Sequence, residues 1–533
     1  MAASGGNTAR SARQPNHETT NHTFLNYREH SEQTRRRRRP LLTTRYSLLA
    51  TFPMPSLDIT PKHPPPLDPA FAPAALWTRA YRAHVARDPA ARDIALTLIR
   101  GDGGSSTHHA RILSPAHPQS ALTLRHVERM LKFLLWQRGA HRVQITGADE
   151  LVAPLAAIYS PTGPRAFDTD FMGAKIYAQP FEITNAPAPS AERQIPIQNP
   201  KSKIQNSLGG HLDGCRIGFD LGGSDRKVAA LIDGRVVYSE EIPWSPYFEK
   251  NPSYHIDGVQ DLLLRAAAHL PRVDAIGGSA AGVYVNNEVR AASLFRNVPP
   301  DLFEQKIRRM FHDLRARWNN VPFEVANDGE VTALAGSMFL RDNPVLGISM
   351  GTSQAGGYVT PQGGITPWLN ELAFVPVDYN PSAPRDEWSG DAGCGVQYFS
   401  QQAIARLAPA AGFNFPAAMP APEQLAAVQT AMQQNSPGAR AIYETIGCYL
   451  GYTLAHYADY YTLRNILILG RVTTGEGGNI IISQARAVLE AEFPALAASL
   501  ALRTPGEQEK RHGQAIAAAS LPALRAAGKS LKT

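Results

Sequence analysis

Residues Gly214–Ile232, GCRIGFDLGGSDRKVAALI, and Val345–Val359, VLGISMGTSQAGGYV, follow one pattern. Each has an apolar strand, a tight glycine-rich turn flanked by hydroxyl groups, and a second apolar strand. Such a turn needs glycine, because only a residue without Cβ lets backbone N–H groups crowd around phosphate oxygens. Two such turns in one chain predict two hairpins that close on one polyphosphate from opposite domains.

The alternative for each segment is a plain β-hairpin, since a Gly-Gly turn between apolar strands is common there. Asp220 and Lys227 in the first segment, with Thr352 and Ser353 in the second, favour phosphate binding. Asp220 ends its strand, where a carboxylate could hold a water of a Mg²⁺–nucleotide complex. No Walker A sequence leads into a helix here. The pair therefore predicts a phosphotransferase of another class.

The bulk composition is that of a globular protein with room for two or three domains in 533 residues. Hydrophobic residues make up 43% and charged residues 19%. No apolar run is long enough to span a membrane, so we expect no membrane association. Cys215, Cys394 and Cys448 are too widely spaced for a disulfide framework or a zinc clip. This usage of cysteine predicts a cytoplasmic location.

The formal charge of +7 arises mostly in one segment. Residues 1–53 hold nine arginines against three glutamates, which leaves the rest of the chain almost neutral. The composition therefore argues against nucleic acid as a partner. The segment lacks apolar periodicity and is predicted to be disordered. A basic arm, a transit-like segment and an over-extended start, with Met54 opening the ordinary chain, stay open.

Composition divides the chain into five regions. They are a disordered basic and Pro-rich tail (1–74), an accessory α/β region (75–186), a polar linker (187–212), an N-terminal lobe (213–340) and a C-terminal lobe (341–533). Two α/β lobes with a glycine hairpin each imply a cleft that closes on its ligand.

Hydrophobic periodicity supports this division. It predicts helices over 75–86, 123–138, 148–159, 258–269, 300–318, 330–339 and 480–491, and strands over 93–100, 141–146, 216–220, 228–232, 236–242, 274–278, 323–326 and 465–469. A helix-turn-helix over 125–158 is an alternative, but its second helix lacks the basic and small polar residues that face a DNA groove. The role of 75–186 stays open between covering the cleft, forming a homodimer and binding another partner.

Asp328 is the best candidate for a catalytic base. It follows a predicted buried strand and starts a helix, where α/β folds place their ligands, and its alternative role is to cap that helix. Asn327 beside it makes a polar pair suited to a hydroxylated ligand. Glu371, flanked by apolar residues, is either a buried carboxylate that accepts two sugar hydroxyls or an ordinary turn residue.

Together, these segments resemble the ROK family, the sugar kinases and sugar-responsive repressors of the hexokinase–actin superfamily, over about 216–489. The resemblance implies an α/β, two-lobed actin-like ATPase (ribonuclease H-like) fold with an accessory N-terminal α/β region. The motifs are FDLGGSDRKVAALID (219–233) and GISMGTSQAGGYV (347–359) for phosphate, GGSAAGVYVNNEVRAASLFRNVPP (277–300) for sugar, VANDGEVTALAG (325–336) for the base and LGRVTTGEGG (469–478) for adenosine.

Carried over residue by residue, the resemblance implies ATP and Mg²⁺ as cofactors. Asp328 is then the base, and Asp220 acts through Mg²⁺. Asn297, Asn327 and Glu371 are expected to bind the sugar. The nucleotide is expected to contact Gly222, Gly223, Ser224, Lys227, Gly351, Thr352, Ser353, Gly470 and Gly475.

The departures from the family concern its zinc site. Phe374 stands where many members have a zinc-binding histidine, and only Cys394 remains of the cysteine triplet. Val396 and Gln397 replace the glutamate that usually follows. We therefore expect no zinc, a divergent subgroup and an altered sugar pocket.

The leading interpretation is an enzyme, an ATP-dependent kinase for a hexose or hexose-like sugar. The alternative is a non-catalytic, sugar-sensing regulatory protein, which the altered sugar side and the added N-terminal region favour. Phosphoryl transfer to a non-sugar polyol is a third interpretation. The sequence does not identify the sugar or the hydroxyl that is phosphorylated.

Overall fold

An α/β layer around a four-stranded sheet precedes the two lobes. The computed structural model describes residues 57, 59–186, 208–504 and 513–524. The layer contains strands β1 (Arg92–Ile99), β2 (Ser105–Ile112), β3 (Arg142–Thr146) and β4 (Glu182–Asn185) and helices α1 (Ala74–Arg87), α2 (Ala121–Arg138), α3 (Val152–Ile158) and α4 (Ala166–Asp170). The strand order is β2–β1–β3–β4, with only β3 and β4 parallel. Strand β3 separates α2 from α3, so a helix-turn-helix is ruled out.

The N-terminal lobe is built on a five-stranded mixed sheet of order β11–β8–β5–β6–β7. Strand β6 is antiparallel to both neighbours, whereas β8 is parallel to β5 and β11. The strands of this sheet are β5 (Cys215–Leu221), β6 (Asp225–Ile232), β7 (Arg235–Pro243), β8 (Ala275–Ala280) and β11 (Phe323–Asn327). The lobe also has a small hairpin of β9 (Val283–Val285) and β10 (Glu288–Ala291). Its helices are α5 (Pro252–Ala267), α6 (Pro300–Leu302), α7 (Met310–Arg317) and α8 (Asp328–Leu340).

The C-terminal lobe repeats this arrangement with a sheet of order β13–β12–β14–β15. Strands β12 and β13 form an antiparallel hairpin, and β14 and β15 follow in parallel, as β8 and β11 follow β5. The elements are β12 (Val345–Met350), β13 (Gln354–Val359), β14 (Asn465–Leu469) and β15 (Ala501–Arg503) with helices α9 (Gln401–Leu407), α10 (Ala421–Gln433), α11 (Pro437–Tyr457), α12 (Glu476–Glu492) and α13 (Pro494–Ala497). This duplication confirms the predicted two-lobed actin-like fold.

Short 3₁₀ and π turns join these elements. The 3₁₀ turns are Asp149–Leu151, Pro246–Phe248, Ser293–Phe295, Leu372–Phe374, Gly395–Gln397 and Arg471–Thr473, and the π turns are Phe171–Tyr177 and Phe303–Ile307. The second π turn breaks the segment 300–318, for which the sequence predicted one continuous helix. Within the ranges that the structure describes, no helix has both the length and the apolar character needed to cross a membrane.

Helix α14 (Gly513–Ala519) returns to the N-terminal lobe. A Cβ at Gly218 of β5 would lie 1.8 Å from the carbonyl oxygen of Ala515, and one at Gly277 of β8 would lie 1.7 Å from that of Ala518. Glycine is required at both positions because the helix lies directly on the sheet. The predicted C-terminal lobe (341–533) therefore needs correction, since its last described segment completes the other lobe.

The chain before α1 packs against the C-terminal lobe. The backbone N–H of Lys62 donates to Glu492 Oε1 at 2.8 Å, and that of Leu67 donates to Thr445 Oγ1 at 3.1 Å. Phe71 is 3% exposed, and its ring centroid lies 4.7 Å from that of Tyr449. The prediction of a disordered tail over 1–74 was therefore wrong for 59–74, and residues 1–56 lie outside the described residues.

The predicted linker also ends earlier than expected. Residues 187–207 lie outside the described residues, but Leu208 pairs with Ile365 through two backbone hydrogen bonds of 3.1 and 2.8 Å. The N–H of Gly209 donates to the carbonyl of Leu521 at 3.2 Å. The described residues from Leu208 onward therefore belong to the folded lobes.

The accessory region and the C-terminal lobe share one hydrophobic core. Every side chain of α2 from His126 to Arg138 is buried. The Phe133 ring stacks on Tyr460 with centroids 3.7 Å apart, and Trp136 stacks on Phe374 with centroids 4.2 Å apart. A helix that is buried on all sides lies between two packed layers. The accessory region is thus an integral layer of the C-terminal lobe, although the N-terminal lobe lies between the two in sequence.

Candidate functional site

A cavity of about 130 Å³ lies where β11 ends, α8 begins and the turn joins β12 to β13. Five residues that the sequence predicted for the site line this cavity, and both lobes contribute to them. They are Asn327, Asp328, Thr352, Ser353 and Glu371. The cavity therefore brings together the predicted base, two predicted sugar ligands and part of the second phosphate turn.

Asn327 and Asp328 occupy the junction between β11 and α8. Asn327 is the N-cap of α8, and its side-chain oxygen accepts from the N–H of Gly329 at 2.7 Å while its Nδ2 donates to the carbonyl of Gly282 at 2.8 Å. Capping is thus supplied mainly by Asn327. Burial raises the pKa of Asp328, although the N–H of Gly329, 2.9 Å from its Oδ1, lowers it. A buried carboxyl with a raised pKa is suited to accept a proton.

Asp220 lies at the end of β5, next to Asp328 but outside the cavity lining. It is 6% exposed, and its Oδ1 accepts from Ser279 Oγ at 2.6 Å. Burial raises the pKa of Asp220 to about 6, the hydrogen bond from Ser279 lowers it, and the charge of Asp328 raises it. The two carboxyl groups are therefore close enough to interact electrostatically, at the carboxyl ends of β5 and β11, which flank β8 in the sheet.

Glu371 is held by the accessory region. Its backbone N–H donates to the carbonyl of Trp136 at 3.0 Å, and the N–H of Asn370 donates to the carbonyl of Gln137 at 2.9 Å. Both acceptors belong to the last turn of α2, where carbonyl groups lack partners within the helix. Burial and the charge of Asp328 raise the pKa of Glu371 to about 7. The end of α2 thus fixes a carboxyl group in the cavity wall.

Glu330 supports the same wall from the first turn of α8. It is 3% exposed, and its carboxyl accepts from the side chain of Asn370 and from the N–H of Tyr358 at 3.1 Å. Burial raises the pKa of Glu330 to about 8, against the lowering effect of those two hydrogen bonds. The sequence analysis did not single out this residue, because an apolar helix with one glutamate gives no sign of its partners.

The first glycine turn is packed beneath aromatic residues. Trp244 donates from Nε1 to the carbonyl of Gly222 at 2.7 Å and from its N–H to that of Ser224 at 3.1 Å. A Cβ at Gly223 would lie 2.3 Å from the hydroxyl oxygen of Tyr247. Gly222, Gly223 and Ser224 do not line the cavity, and Lys227 forms an ion pair with Asp225 at 3.2 Å.

The second glycine turn is open. A Cβ at Gly351 would meet, among the described residues, only the carbonyl oxygen of Ser353, at 3.7 Å. The N–H of Gly351 donates to that carbonyl at 2.9 Å, and the carbonyl of Gly351 accepts from the N–H of Gln401. Thr352 and Ser353 line the cavity. The two turns thus share a sequence pattern but not an environment.

Three other predicted ligands lie outside the cavity. Asn297 is exposed in the turn that follows a 3₁₀ segment, so this geometry does not support its predicted role as a sugar ligand. Gly470 has φ of 104° and a Cβ there would lie 2.5 Å from the carbonyl oxygen of Met350, so glycine lets β14 end beside β12. Gly475, with φ of 74°, is the N-cap of α12.

The positions that correspond to the zinc site in the ROK resemblance are packed against other groups. The Phe374 ring stacks on Trp136, and the Sγ of Cys394, which is 0% exposed, lies 3.8 Å from the carbonyl oxygen of Asp391. Val396 lines the cavity, and Gln397 donates to Gln402 at 2.6 Å. Among the described residues, no three His, Cys, Asp or Glu side chains are grouped to hold a metal ion.

Behind Trp136 lies a buried ionic network of three cations and three anions. Lys132 Nζ lies 3.0 Å from Asp168 Oδ1 and 3.1 Å from Asp391 Oδ2, and Trp136 Nε1 donates to Asp168 at 2.5 Å. The members are Glu128, Arg129, Lys132, Arg165 and Asp168 from the accessory region and Asp391 from the C-terminal lobe. The balanced charges make burial of all six feasible. Through Asp391, the network ties the accessory region to the lobe.

Sequence reasoning missed several residues of the cavity wall. Asp386, Trp388 and Gln402 line it, and all three follow Glu371 within about thirty residues. A carboxylate two positions before a tryptophan in a polar loop was the available signal. Gln354, at the start of β13, also contributes to the wall.

The fold and site thus define a two-lobed, actin-like protein with acidic side chains in a polar cavity. The chain matches no family model and no curated protein. It is similar to solved structures of a ROK hexokinase from Thermus thermophilus (18% identity, 58% of this chain, 97% of that chain, TM-score 0.46) and a ROK family glucokinase from Streptomyces griseus in complex with glucose and AMPPNP (20%, 58%, 99%, 0.42).

A third similar structure is a ROK family transcriptional regulator, a homologue of the Mlc protein of E. coli (20% identity, 57% of this chain, 78% of that chain, TM-score 0.45). Kinases and a regulator thus occur together among the similar structures. The fold of the present chain rests on its own strand order, and its chemistry rests on its own side chains.

Proposed function

We propose that this chain is an ATP-dependent kinase that phosphorylates a hydroxyl group of a hexose or hexose-like sugar. One observation carries the proposal. The half-buried carboxyl of Asp328, whose pKa is raised, shares a cavity with the carboxyl of Glu371 and with the second glycine turn at Thr352 and Ser353. Phosphoryl transfer to an alcohol needs a base, groups that orient the alcohol and donors around the phosphates.

Each residue has a distinct part in this proposal. Asp328 accepts the proton of the sugar hydroxyl as that oxygen attacks the γ-phosphorus of ATP and the bond to the β-phosphate oxygen breaks. Glu371 and Asn327 accept hydrogen bonds from the other hydroxyl groups and orient the sugar. The backbone N–H groups and hydroxyls of Thr352 and Ser353 stabilise the charge that develops on the phosphates.

The neighbouring carboxyl groups of Asp220 and Asp328 suit Mg²⁺, which prefers oxygen ligands. Burial raises the pKa of Asp220 and the charge of Asp328 adds to this, so a bound cation would favour the ionised form of Asp220. Bound Mg²⁺ would neutralise charge on the ATP phosphates. Asp220 is fixed for this role by its hydrogen bond from Ser279.

A second candidate function, a sugar-sensing regulator without catalysis, is favoured by one specific observation. The first glycine turn lies beneath Trp244 and Tyr247, and the hydroxyl of Tyr247 occupies the side of Gly223 where a Cβ would project. In this arrangement, the turn has less room for phosphate than its counterpart at Gly351. A regulator would bind the sugar through Glu371 and Asn327 and transfer nothing.

The experiment that tests the proposal measures ADP release with Mg·ATP across a panel of hexoses, amino sugars and polyols. The parent chain is compared with Asp328→Asn, which keeps an acceptor for the N–H of Gly329. We expect kcat to fall by about 10²- to 10⁴-fold, as for loss of a general base. Asp301→Asn is the matched control, since Asp301 also lies in a first helical turn but is exposed.

The outcomes separate the candidates. Sugar-dependent turnover that survives in Asp328→Asn would overturn the role of Asp328 as base. Turnover with polyols alone would move the substrate class away from sugars. If no compound gave turnover while a sugar raised the melting temperature of the parent, the regulator would replace the kinase as the better account.

A further inference from the structure

The cavity wall carries three carboxyl groups without a basic group among the described lining residues. Asp328, Glu371 and Asp386 line the cavity, and no described residue of its lining is Lys, Arg or His. Carboxylates in a confined, poorly hydrated space repel each other, and each loses hydration. A neutral sugar would donate hydrogen bonds to these carboxylates but would leave their charge uncompensated.

Asp386 is the most informative member of this wall. It is 2% exposed, and its Oδ2 accepts from the N–H of Ser389 at 2.6 Å and from Ser389 Oγ at 2.7 Å. Its Oδ1 is buried and has no hydrogen-bond donor among the described residues. A buried carboxylate oxygen without a donor is costly. The side chain is thus fixed on one side by Ser389 and lacks a partner for the other oxygen.

The cation that acts electrostatically on Asp386 is already engaged by other carboxylates. Lys132 acts on Asp386 electrostatically, but its ammonium group is engaged by Asp168 at 3.0 Å and Asp391 at 3.1 Å. All three groups belong to the buried network behind Trp136. The missing partner of Asp386 must therefore come from outside this network.

Trp388 gives the cavity a surface for an organic ligand. It lines the cavity two positions after Asp386 and is half-buried. An aromatic ring covers the apolar face of a sugar and also attracts a cation within about 6 Å of its centroid. Gln402 and Asn327 add amide groups for neutral hydroxyls. Carboxyl groups, amides and the aromatic rings of Trp388 and Phe374 together fit a small polyhydroxylated molecule with a positive charge.

We propose that the sugar is an amino sugar with a free ammonium group, bound against Asp386 and Glu371. This inference rests on the proposed function and adds the substrate class to it. The ammonium group supplies the donors that Asp386 Oδ1 lacks, and its positive charge offsets the effect of the Asp328 charge on Glu371. The N-acetylated form of the same sugar carries no charge, and a plain hexose carries a hydroxyl in that place.

The test compares glucosamine, N-acetylglucosamine and glucose in the ADP-release assay, at a pH near 6.5 where the amine is protonated. A charge-assisted hydrogen bond that the other sugars lack should raise kcat/KM for glucosamine by about 10- to 100-fold over both. Asp386→Asn should bring the ratio of the glucosamine and glucose values close to one, mainly through KM. Glu387→Gln is the matched control, because it removes an exposed carboxylate from the adjacent position and should keep the ratio.

Melting temperatures of the parent with each sugar and without ATP separate this inference from the proposed function. Turnover of glucose and glucosamine with equal kcat/KM would overturn the amino-sugar inference and leave the kinase standing. No turnover, with stabilisation by glucosamine and not by glucose, would support the inference and overturn the kinase. If Asp386→Asn failed to fold, the sugar series on the parent chain would still decide, because an equal response to the three sugars contradicts the inference.

Discussion

The two sides of the cleft are held in place by different forces. On the C-terminal side, Glu371 is positioned by the end of α2, which a buried ionic network around Lys132 joins to the lobe. On the N-terminal side, the first glycine turn is positioned by aromatic side chains, with Trp244 bonded to Gly222 and Tyr247 against Gly223. The C-terminal side is thus held by buried ion pairs, and the N-terminal side is held by aromatic packing.

The two sides also differ in how far apart in sequence their contacting residues are. The aromatic packing at the first turn is local, because Trp244 and Tyr247 follow β7 directly. The ionic network joins elements that are far apart in sequence, such as Lys132 and Asp391. A buried network can give a unique arrangement to a junction, although it adds little to stability over an apolar one. We therefore expect the two sides to respond differently to mutation and to pH.

The largest effect is expected for Lys132→Met. It removes one cation from the network and leaves Asp168 and Asp391, whose side chains are 1% and 5% exposed, with less compensation. Breaking a buried ion pair from one side costs about 3–5 kcal/mol. Urea unfolding of the parent and the variant at neutral pH measures the loss.

The control for this variant is Arg142→Met, which also removes one positive charge from the accessory region. Arg142 pairs with Glu182 at 3.2 Å, but the two side chains are 43% and 47% exposed. An exposed pair contributes at most about 1 kcal/mol. Equal losses in the two variants would show that the network does not hold the C-terminal side as described.

A smaller effect is expected for Gly223→Ala on the other side. Its new Cβ would lie 2.3 Å from the hydroxyl oxygen of Tyr247 and 2.5 Å from a carbon of its ring, so the ring must move. Overpacking of this kind costs about 1–3 kcal/mol. The double variant with Tyr247→Ala should lose less than the sum of the two single variants, since the clash is gone.

Gly351→Ala is the matched control at the second turn. Neither glycine has a positive φ, so alanine is compatible with the backbone at both positions. The new Cβ at 351 would approach nothing closer than 3.7 Å, and we expect a change within about 0.5 kcal/mol. A loss at Gly351 as large as that at Gly223 would remove the contrast between the two turns.

The sequence predicted the parts of the molecule that depend on local patterns. Strand β14 was predicted over the five residues that it occupies, 465–469, and the glycine hairpins and the junction at Asn327 and Asp328 were found as well. These features repeat along the chain, as alternating apolar residues and turns. The corresponding strands of the two lobes then pair in the same order, as expected from that repetition.

What the sequence did not reveal depends on contacts between distant segments. The packing of α14 on the first sheet and the pairing of Lys132 with Asp391 join residues more than two hundred positions apart. The place of Asp386 in the cavity wall likewise depends on contacts between separate loops. Asn297 shows the converse, because its motif was recognised but its side chain is exposed. The spacing of motifs predicts the order of helices and strands, but it does not predict which side chains are in contact.

A further effect is expected in the pH dependence of stability on the charged side. Burial raises the pKa of Glu330 to about 8, so the folded protein keeps this proton where the unfolded chain has released it. The folded state then binds more protons, and the stabilisation, complete below the ordinary pKa of 4.5, is lost as the pH rises through about 8. The slope for one such group is at most about 1.4 kcal/mol per pH unit.

Glu330→Gln removes this titrating group. The free energy of unfolding of the variant, relative to that of the parent, should therefore increase between pH of about 5.5 and about 7.5 in urea titrations. A difference that stays constant over this range would mean that Glu330 is ionised in the fold, and that the wall around Glu371 carries one more negative charge than the hydrogen bonds of Asn370 and Tyr358 can compensate.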